Sequence, residues 1–256
     1  MSKKIIGKCR LCGKENVELT FEHVPPESAF NNQRVQLINR SDALECLINP
    51  DKGIEDIDKL HYVDQQRGDG GYYLCDQCNS KTGRWYVKAY SEFIKNAMRA
   101  IAPNDIKHGE CFELKAKEIS PLSILKQVMV MFCDINPDLS EDIQLRSFLL
   151  NPESNEFDKK KYRVFMFGFG GGYLRRSSCF GTFDTNTNSG TIQSEIISQP
   201  FGFNLYINPP KDLKSLDCEI TDFAFIPYNK KVDVEFILRT KGTYSIIPGI
   251  YTPEEG

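Results

Sequence analysis

Residues 74–81 read LCDQCNSK, and residues 9–12 read CRLC. Each stretch spaces two cysteines by two residues, which lets one tight turn present two thiolates to one ion. Cys9, Cys12, Cys75 and Cys78 together supply four sulfurs, the donor set that suits tetrahedral zinc. The 62 residues between the pairs (13–74) exceed a compact zinc ribbon, so the two turns must meet through folding. Gly13 and Asn79, directly after each pair, are turn-forming neighbours. A set of four cysteines leaves no open coordination position, so the metal it predicts is a structural Zn2+ and not a catalytic one. A redox dithiol and unligated thiols are the other readings of such pairs.

Downstream of the second pair, the spacing predicts a helix from about Ser80 to Ile101. Tyr86, Val87, Tyr90, Phe93, Ile94, Ala97, Met98 and Ile101 fall on one broad face. Lys81, Arg84, Lys88, Lys95 and Arg99 fall within roughly 60° of one another on the other. Glu92 interrupts that stripe. It is either a solvated face or a track for a nucleic-acid backbone.

Upstream, Val17 to Phe21 alternates like a strand and runs into Glu22-His23-Val24-Pro25. A lone histidine is more often structural than catalytic. This one follows a carboxylate, stands at the end of a predicted strand, and has a cysteine pair on either side in sequence. Asn79 puts a carboxamide oxygen immediately after the second pair. His61 and His108 have no motif around them and read as structural or surface residues.

The whole chain sets bounds on these readings. It has 256 residues, 40% hydrophobic and 26% charged, enough for one large domain or two small ones. With 32 basic and 35 acidic residues the formal net charge is −3, which excludes a globally basic nucleic-acid binder but not a locally basic one. No apolar run approaches the roughly 18 residues of a membrane span. The first residues, MSKKII, lack the apolar stretch of a secretory signal, so a soluble, cytoplasmic protein is expected. The nine cysteines are an odd number in a long chain, which argues against a secreted disulfide scaffold. Cys46, Cys111, Cys133, Cys179 and Cys218 stand singly and read as small buried apolar residues.

Texture changes along the chain. Residues 1–109 carry 16 basic and 15 acidic residues, and residues 110–256 carry 16 and 20. The expected boundary is Ala102-Pro103-Asn104-Asp105, where proline follows the helical pattern. This divides the chain into 1–104 and 105–256. Within the first part, about 26–70 reads as an insertion, with Val35, Leu37 and Ile38 in a strand and Ala43 to Ile48 in a helical turn. The second part is α+β with β in excess. Phe112 to Lys117 alternates like a strand, and Pro121 to Phe132 reads as a helix with proline in its first turn. Strands follow at 162–169, 178–184, 191–197, 202–207, 218–227, 232–239 and 243–247. Gly168, Gly170, Gly171 and Gly172 complete no phosphate-loop pattern and read as a turn or bend.

The stretches CRLC at 9–12, EHVP at 22–25 and LCDQCNSK at 74–81 resemble, in order, the motifs of zinc-containing HNH endonucleases. The resemblance covers about residues 5–100. It implies a ββα-metal (His-Me finger) fold stapled by zinc on Cys9, Cys12, Cys75 and Cys78, followed by a β-rich α+β domain. It implies His23 as general base, Glu22 and Asn79 as ligands of a catalytic Mg2+ or Mn2+, and Lys81 beside the scissile phosphate. Lys81, Arg84, Lys88, Lys95 and Arg99 would then contact DNA, with RNA as the other candidate. The family's middle asparagine, which braces the histidine loop, is missing before the second cysteine pair. Asp69 or a residue of the insertion is expected in its place. Residues 105–256 would position substrate, form a homo-oligomer or bind a regulatory partner, as in antiphage or mobile-element effectors. The competing expectation is a non-catalytic zinc module that binds nucleic acid or a protein.

Overall fold

A computed structural model of the chain describes residues 4–38, 41–42, 59–101, 109–170, 174–184, 189–211 and 213–241. Helix and strand are both abundant, and the fold is mixed α+β, as expected. In the first part, β1 (Ile5–Gly7), β2 (Val17–His23) and β5 (Gly70–Cys75) form an antiparallel sheet in the order β1-β2-β5. Leu19 stands opposite Cys75, and His23 opposite Gly70. Tyr73 is the extra residue of a bulge, since Thr20 pairs with Leu74 and Phe21 already with Tyr72. β3 (Val35–Ile38) and β4 (Tyr62–Gln65) form a separate two-stranded ribbon, clasped at its base by Arg34 and Asp64.

The helical stretch starts at Asp76, earlier than the apolar spacing indicates, because the second cysteine pair itself forms the turn into it. It is also not one helix. α1 (Asp76–Thr82) passes through a π turn (Gly83–Val87) into α2 (Lys88–Ile101). The apolar face is buried as expected, with Tyr86, Tyr90, Phe93, Ile94 and Ala97 in the core. The π turn holds one residue more than an α turn, so Lys81 and Arg84 lose phase with Lys88, Lys95 and Arg99.

The second part is organised around α3 (Pro121–Ile135). Residues 121–134 of this helix are all buried, beyond the one apolar face (Leu122, Leu125, Val128, Met129 and Phe132) that its spacing indicates. β6 (Cys111–Ile119) pairs with β12 (Val232–Arg239) on one side of the core. A five-stranded antiparallel sheet comprises β7 (Tyr162–Gly168), β8 (Leu174–Asp184), β9 (Ser189–Ser198), β10 (Phe201–Ile207) and β11 (Cys218–Glu219), in the order β11-β7-β10-β9-β8. A short helix, α4 (Ile143–Leu150), was not foreseen. It is only eight residues long, and its N-terminus is capped by Asp142, which accepts from Leu145 N at 3.0 Å.

The strand expected over 218–227 is a correction. Pairing with β7 stops after Glu219, because the Thr221 hydroxyl accepts from Val164 N at 2.9 Å and takes the place of a backbone partner. Thr221–Phe225 then turns as a 3-10 helix. The single cysteines are a second correction. Cys133 is buried, but Cys111 and Cys179 are exposed and Cys218 is half-buried. Cys46, His108, the 43–48 turn, the boundary at 102–105 and the strand at 243–247 lie outside the described residues.

The parts before and after 102–105 share one core. Phe93 stacks on Phe201 at 5.1 Å and meets Phe236 at 5.8 Å, and the Tyr86 hydroxyl donates to Leu149 O at 2.8 Å. The buried apolar cluster runs from Cys9 and Leu74 through α3 to Phe203 and Leu238.

Candidate functional site

The four cysteines meet. Their sulfurs all lie within 4.8 Å of one another, and Cys12 Sγ and Cys75 Sγ are 3.9 Å apart. A tetrahedron of 2.3 Å zinc–sulfur bonds has edges of about 3.8 Å, so the donor set and its size fit zinc. Local backbone explains how the first turn forms. Gly13 N bonds Cys9 O at 2.9 Å, Cys9 N bonds Lys14 O at 2.9 Å, and Gly13 holds a φ of +72° that favours glycine. The second pair is carried by the end of β5 and the start of α1, and Cys75 N points at Cys9 Sγ from 3.3 Å. Hydrogen bonding from Cys78 pulls the Cys9 thiol down to about 4. The same bond, followed by burial, pushes the Cys78 thiol far up. Metal ligation takes all four as thiolates. The first turn is tied to the second part of the chain as well. Arg146 Nη1 donates to Cys12 O at 2.9 Å, and Arg10 Nη1 donates to Asp134 O.

His23 ends β2. Its Nε2 lies 2.6 Å from Arg67 O. A carbonyl only accepts, so Nε2 carries the proton and the neutral ring keeps its lone pair on Nδ1. The segment that presents Arg67 O is itself fixed. Asn31, 3% exposed, donates to Pro25 O at 2.6 Å and Asp69 O at 2.7 Å, and accepts from Asp69 N at 2.7 Å. Gly68 has a φ of +78°, and a Cβ there would stand 2.0 Å from Asn31 O. One buried carboxamide therefore joins the turn after His23 to the segment that orients its ring.

Sequence reading missed Asn31 by treating 26–70 as an insertion. The only local cue was an asparagine pair, Asn31-Asn32, and no pattern in sequence reveals that it is buried. Asp69 contributes backbone to this brace. Its carboxylate instead pairs with Arg176, at 2.5 Å from both Nε and Nη2.

Asn79 donates through Nδ2 to Thr20 Oγ1 at 3.0 Å and to Phe21 O at 3.3 Å. These bonds fix the carboxamide and leave Oδ1 without a donor among the described residues. Glu22 is 9% exposed and has no hydrogen-bond partner among the described residues. Burial pushes its carboxyl up to about 7. Thr20 and Glu22 share one face of β2, so Asn79 and Glu22 are brought to the same side of the strand. His23 is turned to the other face, where its ring contacts Phe21 at 5.0 Å and Phe21 contacts Tyr72 at 5.5 Å. Of the basic residues, Lys81 and Lys95 are half-buried and Arg84 is exposed. Lys88 faces Glu92 at 3.9 Å, and Arg99 bonds Asn96 at 3.2 Å.

No helix among the described residues is long and apolar enough to cross a membrane. The chain matches no known family model, no curated protein and no solved structure.

Proposed function

We propose that the chain is a metal-dependent endonuclease of the HNH type that hydrolyses DNA phosphodiester bonds, with residues 5–101 as a zinc-stapled ββα-metal unit. The observation that carries this reading is the state of His23. It sits at a strand end with Nδ1 free to accept a proton, its ring held by Arg67 O, and the carbonyl's segment is pinned by the buried Asn31. Asn79 is tethered to the same strand directly after the second cysteine pair.

In this mechanism His23 Nδ1 takes a proton from water as the water oxygen attacks phosphorus and the bond to the 3′-oxygen breaks. Lys81 and Arg84 neutralise non-bridging oxygens. Glu22 and Asn79 Oδ1 are the residues that would hold Mg2+ or Mn2+, and such an ion supplies charge stabilisation for the leaving oxygen. Both groups fit that role chemically: each is an oxygen donor with no hydrogen bond to it from the described residues. Asn31 acts as a positioning residue in place of the family's middle asparagine.

One observation favours a second reading, a non-catalytic zinc module that binds nucleic acid or a protein. Glu22 and His23 face opposite sides of β2, whereas shared chemistry requires a phosphate placed across the strand end. Supercoiled plasmid incubated with Mg2+, Mn2+ or EDTA separates the two. The nuclease reading expects metal-dependent nicking or linearisation that His23→Ala abolishes while zinc content is unchanged. Cleavage retained in His23→Ala, or none by the wild type, rejects it; DNA binding without cleavage supports the zinc module.

A further inference from the structure

The strand register makes Gly70, Gly71 and Tyr72 the partners of His23, Glu22 and Phe21. Two of these three partners have no side chain, so the stretch has little packing of its own to fix it. Both of its flanks are fixed instead by one side chain from the second part of the chain, Arg176 on β8. On one flank the guanidinium forks onto the Asp69 carboxylate, with Nε 2.5 Å from Oδ2 and Nη2 2.5 Å from Oδ1. On the other, Nη1 donates to the Tyr73 hydroxyl at 2.7 Å. The Tyr73 ring folds back over Gly71, where a Cβ would lie 2.4 Å from Tyr73 Cζ.

Arg176 is mounted on a firm support. It stands opposite Ile196 in the β8–β9 ladder. The neighbouring Arg175 points to the other face of the strand and donates to the fully buried Glu195 at 2.7 Å. Asp69 is buried, so its two-bond pairing with Arg176 is directional as well as strong. Asp69 then joins this clamp to His23 by two short routes. Its backbone oxygen accepts from Val24 N, the residue directly after His23, at 3.0 Å. Two residues before it, Arg67 O takes the bond from His23 Nε2 at 2.6 Å, and Gly68 between them donates to Gln33 O at 2.7 Å. A displaced Asp69 side chain therefore disturbs both the end of β2 and the carbonyl that orients the imidazole. A lysine at 176 could neutralise Asp69, but it lacks the planar fork that holds Asp69 and Tyr73 at once.

We propose that Arg176 is a positioning residue of the His23 site: through Asp69 and Tyr73 it fixes the ring of His23, and so gives the second part of the chain a share in catalysis without contact to the reacting atoms. That this ring acts in catalysis rests on the nuclease reading; that Arg176 fixes the ring does not.

The test compares full-length, zinc-loaded wild type with Arg176→Gln and Arg176→Lys. The chain has three histidines, so labelling them with 15N and comparing with His23→Ala identifies the ring signals of His23 by NMR. In both Arg176 variants the His23 Nε2 resonance should move towards that of an unbonded neutral imidazole, with zinc content unchanged. In plasmid nicking with Mg2+, kcat should fall at least tenfold in both while KM stays at its wild-type value. If Arg176→Gln does not fold, its combination with Asp69→Asn, which buries no unpaired charge, reads the same position. Wild-type ring resonances in Arg176→Gln, or in that double variant, overturn the proposal. So does recovery of both the ring signal and kcat in Arg176→Lys, which would reduce Arg176 to a counter-ion of Asp69. A wild type that cuts no DNA rejects the nuclease reading alone: the ring signals need no substrate, and their displacement or constancy still decides whether Arg176 fixes His23.

Discussion

The regions on either side of residue 104 are held in place by different means. In residues 5–101 the strands are short and half-exposed: β2 buries only Glu22 among its seven residues, and β1 buries none. Order around those strands comes from four cysteines, one buried asparagine and the Asp69–Arg176 ion pair, while the helix that follows joins the shared apolar core through Tyr86, Tyr90, Phe93 and Ile94. In residues 110–241 order comes from bulk apolar contact, with residues 121–134 of α3 buried and aromatic pairs such as Phe201–Phe203 and Phe223–Phe236 closing the core. The difference teaches where each region is vulnerable. The first should fail when a specific donor is lost, and the second only when volume is lost.

Metal removal should break the comparison most strongly. Structural zinc contributes on the order of 10 kcal/mol or more to small domains. Cys75→Ser, or chelation of the wild type, should therefore strip hydrogen-exchange protection from β2, β5 and α1 while β7 and β10 keep theirs. Equal loss across both regions would contradict separate means of support. Phe203→Ala is the converse change. Loss of a buried ring costs about 3–5 kcal/mol, and urea unfolding should show it with zinc content unchanged.

Asn31→Ala is smaller and more local. It strips a partner from three buried backbone groups, Pro25 O, Asp69 O and Asp69 N. Asp69 O keeps Val24 N as a donor at 3.0 Å, but leaving the other two unsatisfied costs about 1–3 kcal/mol each before relaxation. The expected result is faster exchange at Asp69 and a loss of His23-dependent cleavage with bound zinc retained. Exchange at Asp69 unchanged from wild type would show that the brace is dispensable. Tyr86→Phe is the smallest. It deletes the one bond from Tyr86 to Leu149 O, at about 1 kcal/mol. A drop in Tm of a few degrees at most is expected, and a drop as large as that of Phe203→Ala would mean that polar contacts also hold the second region.

The same contrast explains what could be read from the sequence. Cys9, Cys12, Cys75 and Cys78 announce their meeting because two-residue spacing has a chemical reason independent of the fold. The strand ending at His23, the apolar face of 86–101 and the helix at 121–132 were legible because alternation and helical periodicity follow directly from burial. Asn31 was not, because a brace is defined by partners 6 and 38 residues away. The side chain of Asp134 was equally silent, since nothing in a helical pattern marks one aspartate as enclosed. The end of β11 was missed for a related reason: Thr221 reads as a good strand residue, yet its hydroxyl captures the backbone group that would have extended the pairing. The π turn at Gly83–Val87 escaped because a single extra residue per turn leaves the apolar pattern nearly intact while shifting the charged one.

The central claim, that His23 activates water to break a phosphodiester at its 3′-oxygen, is tested most directly by the ends it leaves. DNA nicked once by the full-length protein with Mg2+ should carry 5′-phosphate and 3′-hydroxyl termini that DNA ligase reseals without further treatment, and His23→Ala should produce no nicks. Nicks that resist ligation, or resealable nicks produced equally by His23→Ala, would contradict it.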